Sequence, residues 1–258
     1  MEILAGTSGY SYKEWLGVFY PDKLPADGML RYYAGHFRTV EINNTFYRMP
    51  AETMLARWAG EVPGNFAFTL KAPRRITHEK RLREADADVA EFLRRAAALG
   101  DKLGALLFQL PPFLRKDLPR LRDFLAPLPA GPRIVLEFRH DSWQDDEVYT
   151  ELKARGALLC VTDTDEGDTP FVATADRGYI RLRRTHYDDA DLRAWVDRIR
   201  EQPLAGVYVY FMHEDDALGT KFARRLLELW EAERCAPRGE AGAPVPGDAP
   251  PGGARRPT

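Results

Sequence analysis

Residues 105–161, ALLFQLPPFLRKDLPRLRDFLAPLPAGPRIVLEFRHDSWQDDEVYTELKARGALLCV, decide the fold. Three apolar runs, 105–109, 134–138 and 158–161, are short, bounded by turn or charged residues, and rich in β-branched residues, aromatics or Leu, which marks them as strands. Amphipathic stretches fill the gaps: a helix is expected near 118–125, and DDEVYTELKARG should close on Gly156, a residue suited to the left-handed position after a helix. Most of the runs are apolar on both faces, as parallel strands covered on both sides require.

The same alternation extends outward. Runs at 3–5, 39–42 and 66–70 precede this stretch and runs at 179–182 and 207–211 follow it, which makes eight. Helices are expected near 29–37 and 52–59. In DADVAEFLRRAAALG (86–100), Val89, Phe92, Leu93 and Ala96 fall at i, i+3, i+4 and i+7, with Asp86 or Asp88 to cap the start and Gly100 the end. DLRAWVDRIREQP stops before Pro203, and GTKFARRLLELWEAE carries Phe222, Leu226, Leu229 and Trp230 on one stripe. Only the gap 162–178 lacks a clear helix. Eight strands alternating with helices predict an α/β fold: a single TIM-type (β/α) barrel of parallel strands, irregular after strand six, ahead of an open doubly wound sheet. The barrel is expected over 1–234. A Pro/Gly/Ala-rich segment, 235–258, cannot bury enough apolar surface to offset its ordering entropy and is read as a disordered tail.

The chain has 258 residues, with 37 Lys plus Arg against 39 Asp plus Glu, a net charge of −2. That balance excludes a globally basic nucleic-acid binder but not a local basic patch. No run of about 18 apolar residues suggests a membrane span, and MEILAGTSGY lacks the features of a signal peptide. The two cysteines, Cys160 in an apolar run and Cys235 at the start of the tail, make a poor disulfide pair, so a reducing cytoplasm is expected.

Parallel barrels place their ligand sites at the C-terminal ends of the strands. Polar residues gather there: Ser8 and Tyr10 after the first run, Glu41, Asn43 and Tyr47 after the second, Lys71, Arg74 and His78 after the third, and Gln109 after the fourth. Glu137, Arg139, His140 and Trp143 follow the fifth, Asp163 the sixth, and Arg181 and Arg183 the seventh, whereas the opposite ends are small turns. Glu41 and Glu137 can act as an acid and base pair, or be neutralised by Lys71, Arg48 or Arg139 in a structural network. Lys71, Arg74, Arg139 and Arg181 or Arg183 can form a cationic pocket, since guanidinium forks match phosphate or carboxylate. Aromatics in the long first loop, Tyr10, Tyr12, Trp15, Phe19 and Tyr20, either stack on a ligand or pack as a lid. His36 reads as a helix C-terminal cap. A divalent metal site would combine two histidines, with His78 and His140 the rim candidates, with Glu41, Glu137 or Asp163, and the absence of HxH or HExxH spacing makes that signal weak; neither GxGxxG, Walker nor GxSxG sequences are present, and no cofactor is predicted.

Six segments, AGTSGYSYKEWLGVFYP, EINNTFYRMP, FTLKAPRRITHEKRL, LLFQLPP, LEFRHDSW and VYVYF, occur in the order seen in the YecE-like family of proteins, a family long labelled a domain of unknown function. The chain resembles that family from the first strand to about residue 233. The resemblance implies a TIM-type barrel but no activity. It covers KAPR and EFRH, which implies ligand contact for Lys71, Arg74 and Arg139. The family's barrel is similar to those of the xylose-isomerase and endonuclease IV class, and by that analogy implies a sugar-phosphate or nucleic-acid ligand. Two segments depart from the family: YIRLRRTHY has Arg183-Arg184 where the family tends to His-Gly, and Met212-His213-Glu214-Asp215 stands where it favours Asn-Asn-Asp.

Three functions follow. The preferred one is a barrel-mouth enzyme or binder acting on a polyol, sugar phosphate or phosphodiester, with Glu41, Lys71, Glu137, Arg139 and His140 carrying charge stabilisation and proton transfer. The second is a nucleic-acid-binding or repair-associated module using the aromatic loop and the Lys/Arg rim. The third is a partner-binding protein with a vestigial pocket.

Overall fold

The quoted stretch folds into two complete strand–helix units. In a computed structural model that describes residues 1–212 and 215–235, β4 (Leu103–Gln109) leads to α5 (Leu118–Leu125), then β5 (Ile134–Glu137), α6 (Asp146–Arg155) and β6 (Leu158–Thr164). The helix ends have local causes. The Asp117 side chain accepts the Arg120 N–H at 3.1 Å and caps α5, Asp145 caps α6, and Gly156 ends α6 at φ 62°. Before this stretch come β1 (Glu2–Thr7), α1 (Met29–Ala34), β2 (Thr39–Ile42), α2 (Asn44–Tyr47), α3 (Glu52–Glu61), β3 (Ala67–Lys71) and α4 (Asp86–Ala96). After it come β7 (Arg177–Leu182), α7 (Asp189–Arg200), β8 (Gly206–Phe211) and α8 (Leu218–Cys235).

All neighbouring pairs in the order β1-β8-β7-β6-β5-β4-β3-β2 are parallel. A single bridge, Ser8 with Glu41, joins the two ends of this order, so the barrel is nearly closed. The seam between β1 and β2 is completed by a side chain. The Tyr33 hydroxyl, fully buried, accepts the Thr7 N–H at 2.8 Å and donates to the Thr39 carbonyl at 3.0 Å, satisfying two backbone groups that no ladder reaches. Gly6 belongs to the same close approach, because a Cβ there would collide with the Thr39 carbonyl.

Strand alternation sorts the interior into two cores. Leu4, Ala105, Leu107, Val135, Leu158, Cys160, Tyr179, Tyr208 and Tyr210 form the cluster inside the barrel. A larger cluster lies between the strands and the helices, where Phe222, Leu226, Leu229 and Trp230 seat α8 as the sequence predicts. Two expectations need correction. Asp86 and Asp88 do not cap α4; they lie in its first turn, where Asp88 pairs with Arg75 and Lys80, and Gly100 does not end it, since α4 stops at Ala96 and Gly100 lies in the tighter 97–102 turn beyond. Past β6 the chain forms a two-residue antiparallel strand, Gly167–Asp168, and then no helix before β7, which is the irregularity expected there. Cys160 is a free, buried thiol. The expected tail, apart from Cys235 at the end of α8, lies outside the described residues, as do His213 and Glu214. Among the described residues no helix is long and apolar enough to cross a membrane.

Candidate functional site at the barrel mouth

Inward positions near the C-terminal ends of the strands carry charge in two layers. The lower layer is built on Arg181, 1% exposed, the penultimate residue of β7. Its Nη1 donates to Glu137 Oε2 at 2.6 Å and its Nη2 to Glu41 Oε1 at 2.9 Å, so one guanidinium joins carboxylates from β2 and β5 across the barrel. Glu41 also accepts from Ser8 Oγ at 2.7 Å and from Tyr179 Oη at 2.5 Å. Arg139 Nε stands 2.5 Å from Glu137 Oε1, an ion pair outside hydrogen-bond angles. Burial alone would raise the Glu137 pKa, but Arg181, then Arg139 and Lys71, hold it down at about 2. Below, the Tyr210 hydroxyl bridges Thr39 Oγ1 at 2.6 Å and Thr69 Oγ1 at 2.9 Å.

The upper layer opens into a pocket of about 330 Å³ lined by Lys71, Gln109, Pro112, Arg139, Arg183 and Met212, with Arg181 at its floor. Four cations here face two carboxylates, both already engaged by Arg181. Among the described residues no carboxylate lies within ion-pair distance of Lys71 or Arg183. Lys71 Nζ rests over the Phe46 ring, 4.4 Å from its centroid. Burial first, and then the charge of Arg181, push the Lys71 pKa down to about 8 against the pull of Glu137 and Glu41. Burial followed by Arg139 and Arg181 also lowers Arg183.

The other expected site residues scatter. Ser8, Glu41, Glu137 and Arg181 form the floor; Lys71, Gln109 and Arg139 line the pocket. His78 abuts the edge of Phe46, 4.9 Å between centroids, and its pKa is lowered by burial, then by Lys71, Arg74 and Arg139. Tyr10 and Asn43 line an adjacent cavity of about 370 Å³ with Tyr12, Asn44, Arg57 and Trp58. Trp143, expected at the ligand, is instead fully buried: it stacks on Phe138 at 4.6 Å and donates to the Leu114 carbonyl at 2.7 Å. Arg74 is exposed and paired with Glu79, and Tyr47 is 75% exposed on the rim. His140 Nδ1 accepts the Ser142 N–H at 3.1 Å and so caps a turn. Asp163 receives Arg184 and the Trp195 indole N–H, facing helix α7 rather than the pocket. His36 Nδ1 meets the Tyr32 carbonyl at 2.9 Å, at the end of α1 as expected. In the first loop, Trp15, Phe19 and Tyr20 are buried: Trp15 packs on Phe19 and Tyr20, Phe19 on Tyr32, Tyr33 and Phe37, and Tyr20 on Tyr32, so these three serve packing against α1 and the residues after it.

Tyr33 and Tyr179 escape a reading based on strand ends. For Tyr179 a signal exists: Tyr179-Ile180-Arg181-Leu182-Arg183 alternates polar and apolar residues, so its polar set shares the inner face. A divalent metal does not fit this mouth. Its carboxylates are occupied by guanidinium, its remaining polar lining is cationic, and among the described residues no three His, Cys, Asp or Glu side chains cluster as ligands.

A parallel barrel with charged groups at its C-terminal mouth defines a TIM-type (β/α) barrel protein. Residues 4–246 match the family described as protein of unknown function DUF72, and the chain belongs to it. It is 38% identical over 170 residues to the UPF0759 protein YecE of Escherichia coli K12, a match covering 63% of this chain and 59% of that protein. It is 25% identical over 256 residues to the UPF0759 protein YunF of Bacillus subtilis, covering 83% of this chain and 90% of that one. Among solved structures, a DUF72 family protein (TM1631) from Thermotoga maritima superposes with a TM-score of 0.78 at 26% identity, over 90% of this chain and 100% of that chain. A DUF72 family protein (EF0366) from Enterococcus faecalis shares the fold at a TM-score of 0.73 and 19% identity, over 89% and 95% of the two chains.

Proposed function

We propose that the barrel mouth binds a small anionic ligand, a sugar phosphate or similar phosphorylated or carboxylated molecule, between Lys71, Arg139 and Arg183, with Gln109 meeting an uncharged polar group. The observation that carries this reading is the charge imbalance: Lys71 and Arg183 line a partly dry pocket with no carboxylate partner among the described residues. An anion there restores what burial removed, and guanidinium forks suit a phosphate. Arg181, Glu41 and Glu137 hold the floor rigid beneath it. In this reading Glu41 and Glu137 are positioning groups, and neither metal nor nucleotide cofactor takes part.

A second reading, the phosphodiester backbone of single-stranded nucleic acid, is favoured by Tyr47 at the end of α2 and Phe113 on the loop after β4, 75% and 62% exposed. Exposed aromatics beside a cationic groove suit base stacking. The test is a thermal-shift series with inorganic phosphate, sugar phosphates and short oligonucleotides at low salt. A ligand at a hundredfold its Kd adds about 2.7 kcal/mol to stability, and Arg183→Met should remove the effect. Stabilisation by sugar phosphates without oligonucleotide binding supports the first reading. Oligonucleotide binding that weakens steeply with salt supports the second. No response to any of them leaves a partner-binding protein.

A further inference from the structure

We propose that Lys71 is a reactive amine, adding through Nζ to the carbonyl carbon of a small aldehyde or ketone that also carries a phosphate or carboxylate. The inference rests on the anion-pocket reading and extends it to a covalent step. Lys71 ends β3 and lines the mouth pocket beside Gln109, Arg139 and Arg183. Nothing among the described residues locks its ammonium into an ion pair. Lys71 Nζ lies over the Phe46 ring, 4.4 Å from its centroid, and the His78 ring meets Phe46 nearly perpendicular at 4.9 Å between centroids, so an amine and an imidazole contact one ring. Thr77 Oγ1 holds His78 Nδ1 at 2.9 Å. Burial and the surrounding guanidinium groups disfavour the charged form of both side chains. Desolvation beside other cations is a recognised way to expose a lysine lone pair.

The step balances without oxidant or reductant. The Nζ lone pair attacks the carbonyl carbon, a C–N bond forms, and the C=O π pair moves to oxygen. His78 accepts a proton from the nitrogen and delivers it to that oxygen, giving a carbinolamine. The nitrogen lone pair then forms C=N as the hydroxyl leaves with a proton from His78, completing one water, and the N–H proton of the resulting iminium returns to His78, which ends in the protonation state it started in. Arg139 and Arg183 hold the anionic end of the carbonyl compound, and Gln109 is placed to meet its other polar groups.

Pyridoxal 5′-phosphate, an aldehyde carrying a phosphate, is the probe. The full chain is incubated with it, reduced with borohydride, and mapped by peptide mass spectrometry. Lys71 is expected to label at least tenfold faster than exposed Lys13 and Lys153, inorganic phosphate should slow labelling at Lys71 alone, and Lys71→Arg should erase that label. His78→Gln should slow it several-fold; an unchanged rate overturns the proton-carrying role. Labelling of Lys71 no faster than Lys13 or Lys153 overturns the inference. The rise in Tm with inorganic phosphate is read separately on the same protein: a rise without preferential labelling sinks the amine chemistry alone, while no rise sinks the anion pocket.

Discussion

Two layers of the same barrel mouth, a few ångströms apart along the strands, treat charge in opposite ways. In the lower one Arg181 is spanned by Glu41 and Glu137, and Ser8 and Tyr179 supply the remaining donors to Glu41. In the upper one Lys71 and Arg183 carry charges that burial disfavours, and only Arg139 has a carboxylate. Charge that is fully paired inside a protein is part of the framework. Charge that is partly desolvated and left unpaired at an opening is poised for something from outside.

Breaking the lower layer should cost most. Arg181→Met leaves two buried carboxylates without their shared counter-ion and should destabilise the fold by about 3–5 kcal/mol, read as a lower urea midpoint. If stability is unchanged, the triad is not a framework and the contrast collapses. Glu137 sharpens the same point through pH. Its folded pKa of about 2 lies below an unfolded value near 4.3, so its contribution is present above the unfolded pKa and is lost as pH falls from about 5 toward 2. Glu137→Gln should flatten stability against pH in that window, measured by urea unfolding at pH 3 to 6.

The seam comes next. Tyr33→Phe removes the hydroxyl that serves the Thr7 N–H and the Thr39 carbonyl, and should cost about 1–3 kcal/mol of stability. Hydrogen exchange at Thr7 should accelerate with it. In the upper layer the sign reverses. The folded pKa of Lys71, about 8, lies below its unfolded value near 10.4, so at neutral pH the charged side chain opposes folding, a penalty relieved as pH rises through that interval. Lys71→Met should therefore stabilise the ligand-free protein by roughly 1 kcal/mol while removing phosphate-induced stabilisation. A destabilised Lys71→Met would place Lys71 in the framework after all. The smallest effect concerns the rim: Tyr47→Ala and Phe113→Ala should change stability by less than about 0.5 kcal/mol, and a loss of oligonucleotide binding by either would raise the second functional reading.

The strand count was legible because each unit repeats a local pattern, an apolar run and an amphipathic stretch, as in the one closed by Gly156. Glu41, Glu137, Lys71 and Arg139 were legible because parallel barrels collect polar groups at one end. Trp143 misled: a Trp beside Arg139 and His140 reads as a ligand platform, yet an indole this large is placed by the Phe138 ring and the Leu114 carbonyl beneath it. Arg181 and Arg183 were hard to tell apart, although two residues along one strand face change an arginine from strut to lining. Tyr33 was invisible, since its hydroxyl matters only once β1 and β2 fail to complete their ladder.

From the order of residues alone came the alternating units, their number, the rim that gathers polar groups and the kinship with other barrels, because all of these are written in short-range periodicity and motif. Folding chose the partners. Arg181 meets Glu41 across 140 residues and Glu137 across 44, and such pairings exist only when strands from distant parts of the chain turn their inner faces to one axis. Which charges are quenched and which stay exposed to a ligand is a property of that shared, partly dry space, where desolvation depends on every neighbour at once and on no local stretch of chain.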